Sequence, residues 1–141
     1  MVSVSRSARL KLMAIADLVR EPKGFVLFRQ SEPAFGIFLV RSGSVSVRLD
    51  VKQGKPMWER IARSDSIVGL PATLAGSRYS LTAVTLEESE LAFVNRKALI
   101  DLVKSDSDIG DERGQWLIAG GSHENSFSNS RSSDENGRQP I

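Results

Sequence analysis

A chain of 141 residues with 40% hydrophobic and 26% charged residues has the make-up of one soluble globular domain with a real core. It holds no cysteine, which excludes a disulfide framework and thiolate chemistry. No apolar run approaches the ~20 residues that a bilayer-spanning helix needs, and Arg6, Arg9, Lys11 and Asp17 interrupt the N-terminal stretch, so it does not read as a signal peptide and a cytoplasmic protein is expected.

The formal charge of +2 is unevenly spread: residues 1–104 carry 16 Lys/Arg against 10 Asp/Glu, and residues 105–141 carry 3 against 7. Lys55, Arg60, Arg63 and Arg78 stand singly among apolar or acidic neighbours. That scatter fits a solvated face better than a nucleic-acid footprint, whose basic residues cluster.

In chain order, LKLMAIADLV (10–19) places Leu10, Met13, Ala14 and Leu18 at helical spacing and predicts a short N-terminal helix, stopped by Glu21-Pro22-Lys23-Gly24. FVLF (25–28), GIFLV (36–40) and SVSVRLD (44–50) follow as strands, with Val45, Val47 and Leu49 alternating against Ser46 and Arg48. Gly43 marks a tight turn, and Lys52-Gln53-Gly54-Lys55 a hairpin loop before the strand WERIAR (58–63). Between residues 67 and 85 stands IVGLPATLAGSRYSLTAVT, in which a Gly-Leu-Pro-Ala turn opens one short helical turn (71–75) and Gly76 closes it. YSLTAVTL (79–86) and ELAFVN (90–95) complete the strands. Asn95 then caps a helix RKALIDLVKS, whose Leu99, Leu102 and Val103 share one face.

The composition changes at residue 105. The remainder to residue 141 is rich in Ser, Asn, Asp, Glu and Gly, with Trp116, Leu117 and Ile118 as its apolar cluster. Such a segment buries too little to offset its chain entropy and is expected to be disordered, while Gly110, Gly114, Gly120 and Gly121 argue against a long helix. The division is therefore a domain over 1–104 and a polar tail over 105–141. His123, the single histidine, lies in that tail without a second ligand or acid–base partner and reads as solvated. Many short strands with a helix at each end describe a mainly β, jelly-roll-like antiparallel barrel.

PKGFVLFRQSEPAFGIFLVRSGSVSV and SIVGLPATLAGSRYSLTAVTLEESELAFVNRKALIDLV, taken together, resemble the cyclic-nucleotide-binding domain of the Crp/Fnr family of bacterial regulators. The likeness lies in the order of parts: a Gly before a strand ending in Phe, an aliphatic strand ending in Ser-Gly-x-Val, a Gly turn with a short helix, and a Ser-Glu-Leu strand leading into a helix. It covers about residues 10–104 and implies an antiparallel β-roll with flanking α-helices.

The resemblance also implies a ligand cassette at the insert. In that family the short helix after the Gly turn points its free N–H groups at a cyclic phosphate. Carried onto this chain, the cassette comprises Gly69, Leu70, Pro71 and Ala72, with Arg78 for a forked phosphate contact and Tyr79, Ser80 and Thr82 alongside. A cyclic nucleotide or another small anion is the candidate ligand. Leu70, however, stands where nucleotide-binding members resemble Gly-Glu-Leu and hold the ribose hydroxyl with the Glu, so the cassette reads as degenerate. The competing reading makes the insert a corner that changes sheets, with Leu70, Pro71 and Leu74 plugging the barrel and Arg78 facing water.

Crp/Fnr regulators continue into a dimerisation helix and a winged helix-turn-helix. Nothing here resembles these, so direct DNA binding is not expected, and the protein partner is not legible. There is also no nucleophile elbow, metal-ligand cluster or phosphate loop with its lysine; Glu87-Glu88 reads as two exposed turn carboxylates, and no enzymatic activity is expected. The expected role is a regulatory ligand-sensing or adaptor module, the alternatives being an interaction domain with a sealed pocket or a fragment of a transcription regulator.

Overall fold

The structure, a computed structural model, describes residues 4–50 and 56–124. Its elements are α1 (Arg6–Ala14), β1 (Asp17–Glu21), β2 (Val26–Phe28), β3 (Gly36–Ser42), β4 (Val45–Asp50), β5 (Pro56–Ala62), β6 (Ile67–Val68), α2 (Leu70–Ala75), β7 (Thr82–Thr85), β8 (Ser89–Asn95), α3 (Arg96–Ser105) and α4 (Ser107–Glu124). The expected hairpin loop at 52–55 lies outside the described residues.

Two four-stranded sheets face each other, one in the order β1-β8-β3-β6 and the other β2-β7-β4-β5, and every pairing is antiparallel. This is the expected β-roll with flanking helices, built as two sheets and not as a closed barrel. The period-two alternation decides which residue faces which layer. In β3, Phe38 and Val40 turn inward to meet Val45, Val47 and Ala83 of the opposite sheet. Ile37 and Leu39 turn outward, where Ala8 and Leu12 of α1, Leu99 and Val103 of α3 and Ile109 and Trp116 of α4 cover them. Both faces of β3 are thus buried, which is why its sequence is a continuous apolar run.

Three expectations are corrected. The N-terminal helix does not run over 10–19: it starts at Arg6, where the Ser5 hydroxyl accepts the N–H of Ala8, and ends at Ala14. Its buried face is Ala8 and Leu12, whereas Leu10 and Leu18 are exposed. Residues 17–21 form β1 instead, because β8 offers a row of backbone partners from Asp17↔Phe93 to Glu21↔Ser89. The two-residue strand β6 was not foreseen; it pairs Val68 with Phe38 and Ile67 with Leu39.

The third correction concerns the tail. Residues 107–124 form α4, in spite of Gly110, Gly114, Gly120 and Gly121. Burial offsets the intrinsic penalty of about 1 kcal/mol per helical glycine, since Ile109 and Trp116 are both at most 1% exposed within the helical core. Gly110 has a positive use, because a Cβ there would stand 3.1 Å from the Val103 carbonyl oxygen of α3. Asp106 supplies the start, its carboxylate accepting the N–H of Ile109 at 3.1 Å. The expected disorder of residues 125–141 falls outside the described residues, as does the side chain of His123.

Polar contacts clasp α4 to α1. The Glu112 carboxylate accepts the Ser5 N–H (2.8 Å), the Ser5 hydroxyl (2.7 Å) and the Trp116 indole N–H (2.9 Å). One turn away, Lys11 Nζ lies 2.9 Å from Asp106 and 3.8 Å from Asp108.

Candidate functional site

The insert occupies the corner between β6 and β7, and its geometry follows from Gly69. This residue sits at φ 88°, a left-handed conformation that side chains with a Cβ rarely adopt. A Cβ would also stand 3.1 Å from the Tyr79 ring and 3.3 Å from the Phe28 ring. From that turn α2 runs for six residues, with Pro71 in its first turn and Gly76 as C-cap at φ 67°.

α2 has two faces on two cores. Leu70 is fully buried among Leu12, Leu99, Ile109 and Trp116 on the helical side of the roll, with Leu74 packed beside it. Ala72 faces the other way, into the roll interior. The Thr73 hydroxyl lies 2.8 Å from the Gly69 carbonyl and 2.9 Å from that of Gly36, with one proton to share between them. Arg96, the first residue of α3, donates from Nε to the Thr73 carbonyl at 2.9 Å, placing a cation at the C-terminal end of α2 where the peptide dipoles favour it. Gly76 leaves the room for that guanidinium, since a Cβ would stand 2.7 Å from it.

Tyr79 lies inside the roll, 2% exposed. Its ring stacks on Phe28 with centroids 3.8 Å apart and planes within 12°, and meets Phe35 edge-on at 5.5 Å. Its hydroxyl donates to the Gly36 carbonyl at 2.6 Å and accepts the N–H groups of Phe35 and Gly36 at 3.1 Å each. Burial pushes the phenol pKa up, only partly offset by those two N–H groups and by Thr73, so Tyr79 stays neutral at ordinary pH. Phe38 and Phe93 extend the cluster, their centroids 5.0 Å apart.

Arg78 points elsewhere. It is exposed, its backbone bridges Pro33, and its Nη1 donates to the Ser31 carbonyl at 2.8 Å. The Thr82 hydroxyl is buried and accepts the N–H of Gln30 at 2.9 Å, with Ser80 half-buried nearby in sequence.

Of the residues read from the sequence as the cassette, the fold brings together Gly69, Ala72 and Tyr79 at the inner end of the roll. It sets Leu70 in the helical core, leaves Pro71 half-buried at the start of α2 and puts Arg78 on the outside. The groups that sequence reasoning missed are Thr73, Arg96 and the aromatic set. Four of the six phenylalanines, Phe28, Phe35, Phe38 and Phe93, converge with Tyr79. Their inward strand positions were a usable signal for the phenylalanines, whereas nothing local marks Arg96.

No group of three or more His, Cys, Asp or Glu is arranged to hold a metal among the described residues. No helix among them is long and apolar enough to cross a membrane.

Residues 18–106 match the family profile described as "Cyclic nucleotide-binding domain". The chain belongs to that family. The anaerobic regulatory protein of Bacillus subtilis is 30% identical over 89 residues, which are 62% of this chain and 37% of that protein, so the matched region spans little more than a third of the relative's length. Among solved structures, the catabolite activator protein of Thermus thermophilus superposes with a TM-score of 0.72 at 18% identity, over 89% of this chain and 58% of that one. The sensor domain of the transcriptional regulator DNR from Pseudomonas aeruginosa gives 0.69 at 21% identity, over 92% and 87%. At these identities the structures establish a shared fold. The family match contains the whole α2 corner and ends before α4, so the domain's Trp116 clasp lies beyond it.

Proposed function

We propose that the chain is a regulatory module of Crp/Fnr type whose phosphate-binding cassette is degenerate, acting as an adaptor and not by holding a cyclic nucleotide against α2. The observation that carries this reading is Tyr79, which fills the space under Gly69 and binds the backbone of Phe35 and Gly36 through all of its hydrogen-bonding capacity.

Three physical arguments support it. A phosphate placed beneath the α2 turn has to displace a stacked phenol and its three hydrogen bonds. A ribose hydroxyl there meets no carboxylate, because the side chain after Gly69 is a leucine buried on the opposite side of the corner, and an unsatisfied buried polar group costs about 1–3 kcal/mol. Arg78, the cation closest in sequence, is exposed on the outside, where an ion pair is worth about 0–1 kcal/mol. The adaptor role then falls to the surface, with a protein partner. Neither catalysis nor direct DNA contact is part of the proposal.

Titration calorimetry of the wild-type protein with cyclic AMP and cyclic GMP, beside inorganic phosphate as a small anion, tests it. The expected outcome is no saturable heat and no rise in melting temperature. A ligand at 100 times its dissociation constant adds ~2.7 kcal/mol of stability; a saturable shift of that size with either nucleotide overturns the reading.

A further inference from the structure

The Tyr79 side chain is an occupant of a box whose walls come from other segments. β2 supplies Phe28, the start of β3 supplies Phe35 and Gly36, and the β6–α2 junction supplies Gly69. The tyrosine itself enters from the Ser77–Leu81 connection, which is tied to the loop at 31–34 by its own bonds: Tyr79 N–H to Glu32, Ser31 N–H to the Tyr79 carbonyl, Ala34 N–H to Ser77, and Arg78 to Ser31. The backbone that carries Tyr79 is therefore held to the walls by bonds in which the tyrosine side chain takes no part.

We propose that this box is a binding site for a planar phenol-class molecule, and that Tyr79 is its covalently attached ligand, which keeps it closed in the wild type. The chemistry of the walls sets the class. The Phe28 face takes a flat ring at stacking distance, and the Phe35 edge bounds it. At the far end two N–H donors and one carbonyl acceptor meet a single oxygen within 3.1 Å. One hydroxyl, able to donate once and accept twice, satisfies all three. An apolar ring of the same shape takes the hydroxyl acceptor away from the Phe35 and Gly36 N–H groups, although the Gly36 carbonyl keeps the Thr73 hydroxyl, and a charged group loses its hydration in an aromatic enclosure. Because the occupant is tethered, its effective concentration at the box is on the order of millimolar or above, which excludes free competitors while the connection stays docked.

The inference rests on the reading that the roll is filled by its own side chains, and the two fail separately: nucleotide binding by the wild type undoes that reading, whereas failure of the box to accept a phenol leaves it standing. The test uses Tyr79→Ala with p-cresol, which is the tyrosine side chain as a free molecule, and toluene, which keeps its shape without the hydroxyl. The expected result is a saturable rise in the variant's melting temperature with p-cresol, affinity about tenfold or more above that for toluene, and no such rise for the wild type. If Tyr79→Ala does not fold alone, it is refolded in the presence of p-cresol. Recovery of the folded circular dichroism spectrum supports the box, and no recovery overturns it. Equal affinity for toluene and p-cresol, or an equal response from the wild type, also overturns it.

Discussion

Replacing Trp116 with alanine asks whether α4 is part of the domain. In the structure its side chain is fully buried against Leu12, Leu70, Leu99 and Ile109 on the helical face of the roll, and its indole N–H is one of three donors to Glu112. Truncating a buried tryptophan costs about 3–5 kcal/mol in lost transfer and cavity terms. Glu112 keeps Ser5 and half-exposed access to water, so the lost donor adds little. A total near 4 kcal/mol is about a quarter or more of the ~5–15 kcal/mol that holds a typical domain together. For a chain of this size it lowers the melting temperature by about 10–20 °C. Urea titration followed by circular dichroism measures it, the midpoint falling while the slope stays constant. A chain ending at Ser105 should lose at least as much, because it also removes Ile109. A Trp116→Ala protein that melts within a degree or two of wild type would show that α4 is not docked.

Leu70→Glu places a carboxylate in the apolar helical core among Leu12, Leu99, Ile109 and Trp116, so a loss of roughly 3–5 kcal/mol or failure to accumulate as folded protein is expected; a normally stable variant would mean that the side chain reaches solvent or the roll interior. Tyr79→Phe removes one donated and two accepted bonds while keeping the ring, and a loss of about 1–3 kcal/mol is expected by urea titration, with an unchanged midpoint counting against the hydroxyl network. For Glu112, burial pushes the pKa up, but the Ser5 N–H, the Ser5 hydroxyl and the Trp116 indole outweigh it, and the folded-state value lies below the ordinary 4.5. A carboxyl depressed by folding contributes stability that is present above its unfolded pKa and lost as pH falls through the folded one, so wild type should weaken more steeply than Glu112→Gln below about pH 4.5. Parallel acid slopes for the two proteins would refute the clasp.

Most of the roll is legible in the sequence because period-two patterning carries it. Val45, Val47 and Leu49, or the continuous run from Gly36 to Val40, announce strands through their own neighbours, and Asn95 announces α3 through the cap it makes with the N–H of Ala98. The misread places are those where a distant partner outweighs local pattern. Leu18 fits a helix by its spacing from Leu10 and Ala14, yet β8 offers five paired positions that only an extended chain can fill. α4 has a poor intrinsic preference for helix, and its glycines and acidic residues suggest a solvated tail. Trp116 and Ile109 reverse that by burying against surfaces contributed by α1, α2 and α3, which no window of local sequence contains.

The α2 corner shows a different limit, since its residues were found while their directions were not. Gly69, Pro71 and Gly76 fix a short helix from sequence alone, because a positive φ, a locked φ and a C-cap each demand those residue types. Which side of the corner each side chain enters depends on the sheets that flank it. Leu70 leaves toward the helices and Ala72 toward the roll, one turn position apart in role though two residues apart in sequence. Arg78 and Tyr79 are adjacent in the chain, and by sequence both belong to the cassette; at the bridge between Pro33 and Arg78 the arginine is exposed and the tyrosine buried, as alternation on an extended segment requires. A charged residue and an aromatic one exchange their expected places by that single alternation, and the corner that begins as an anion cradle in sequence ends as an aromatic box closed by its own phenol.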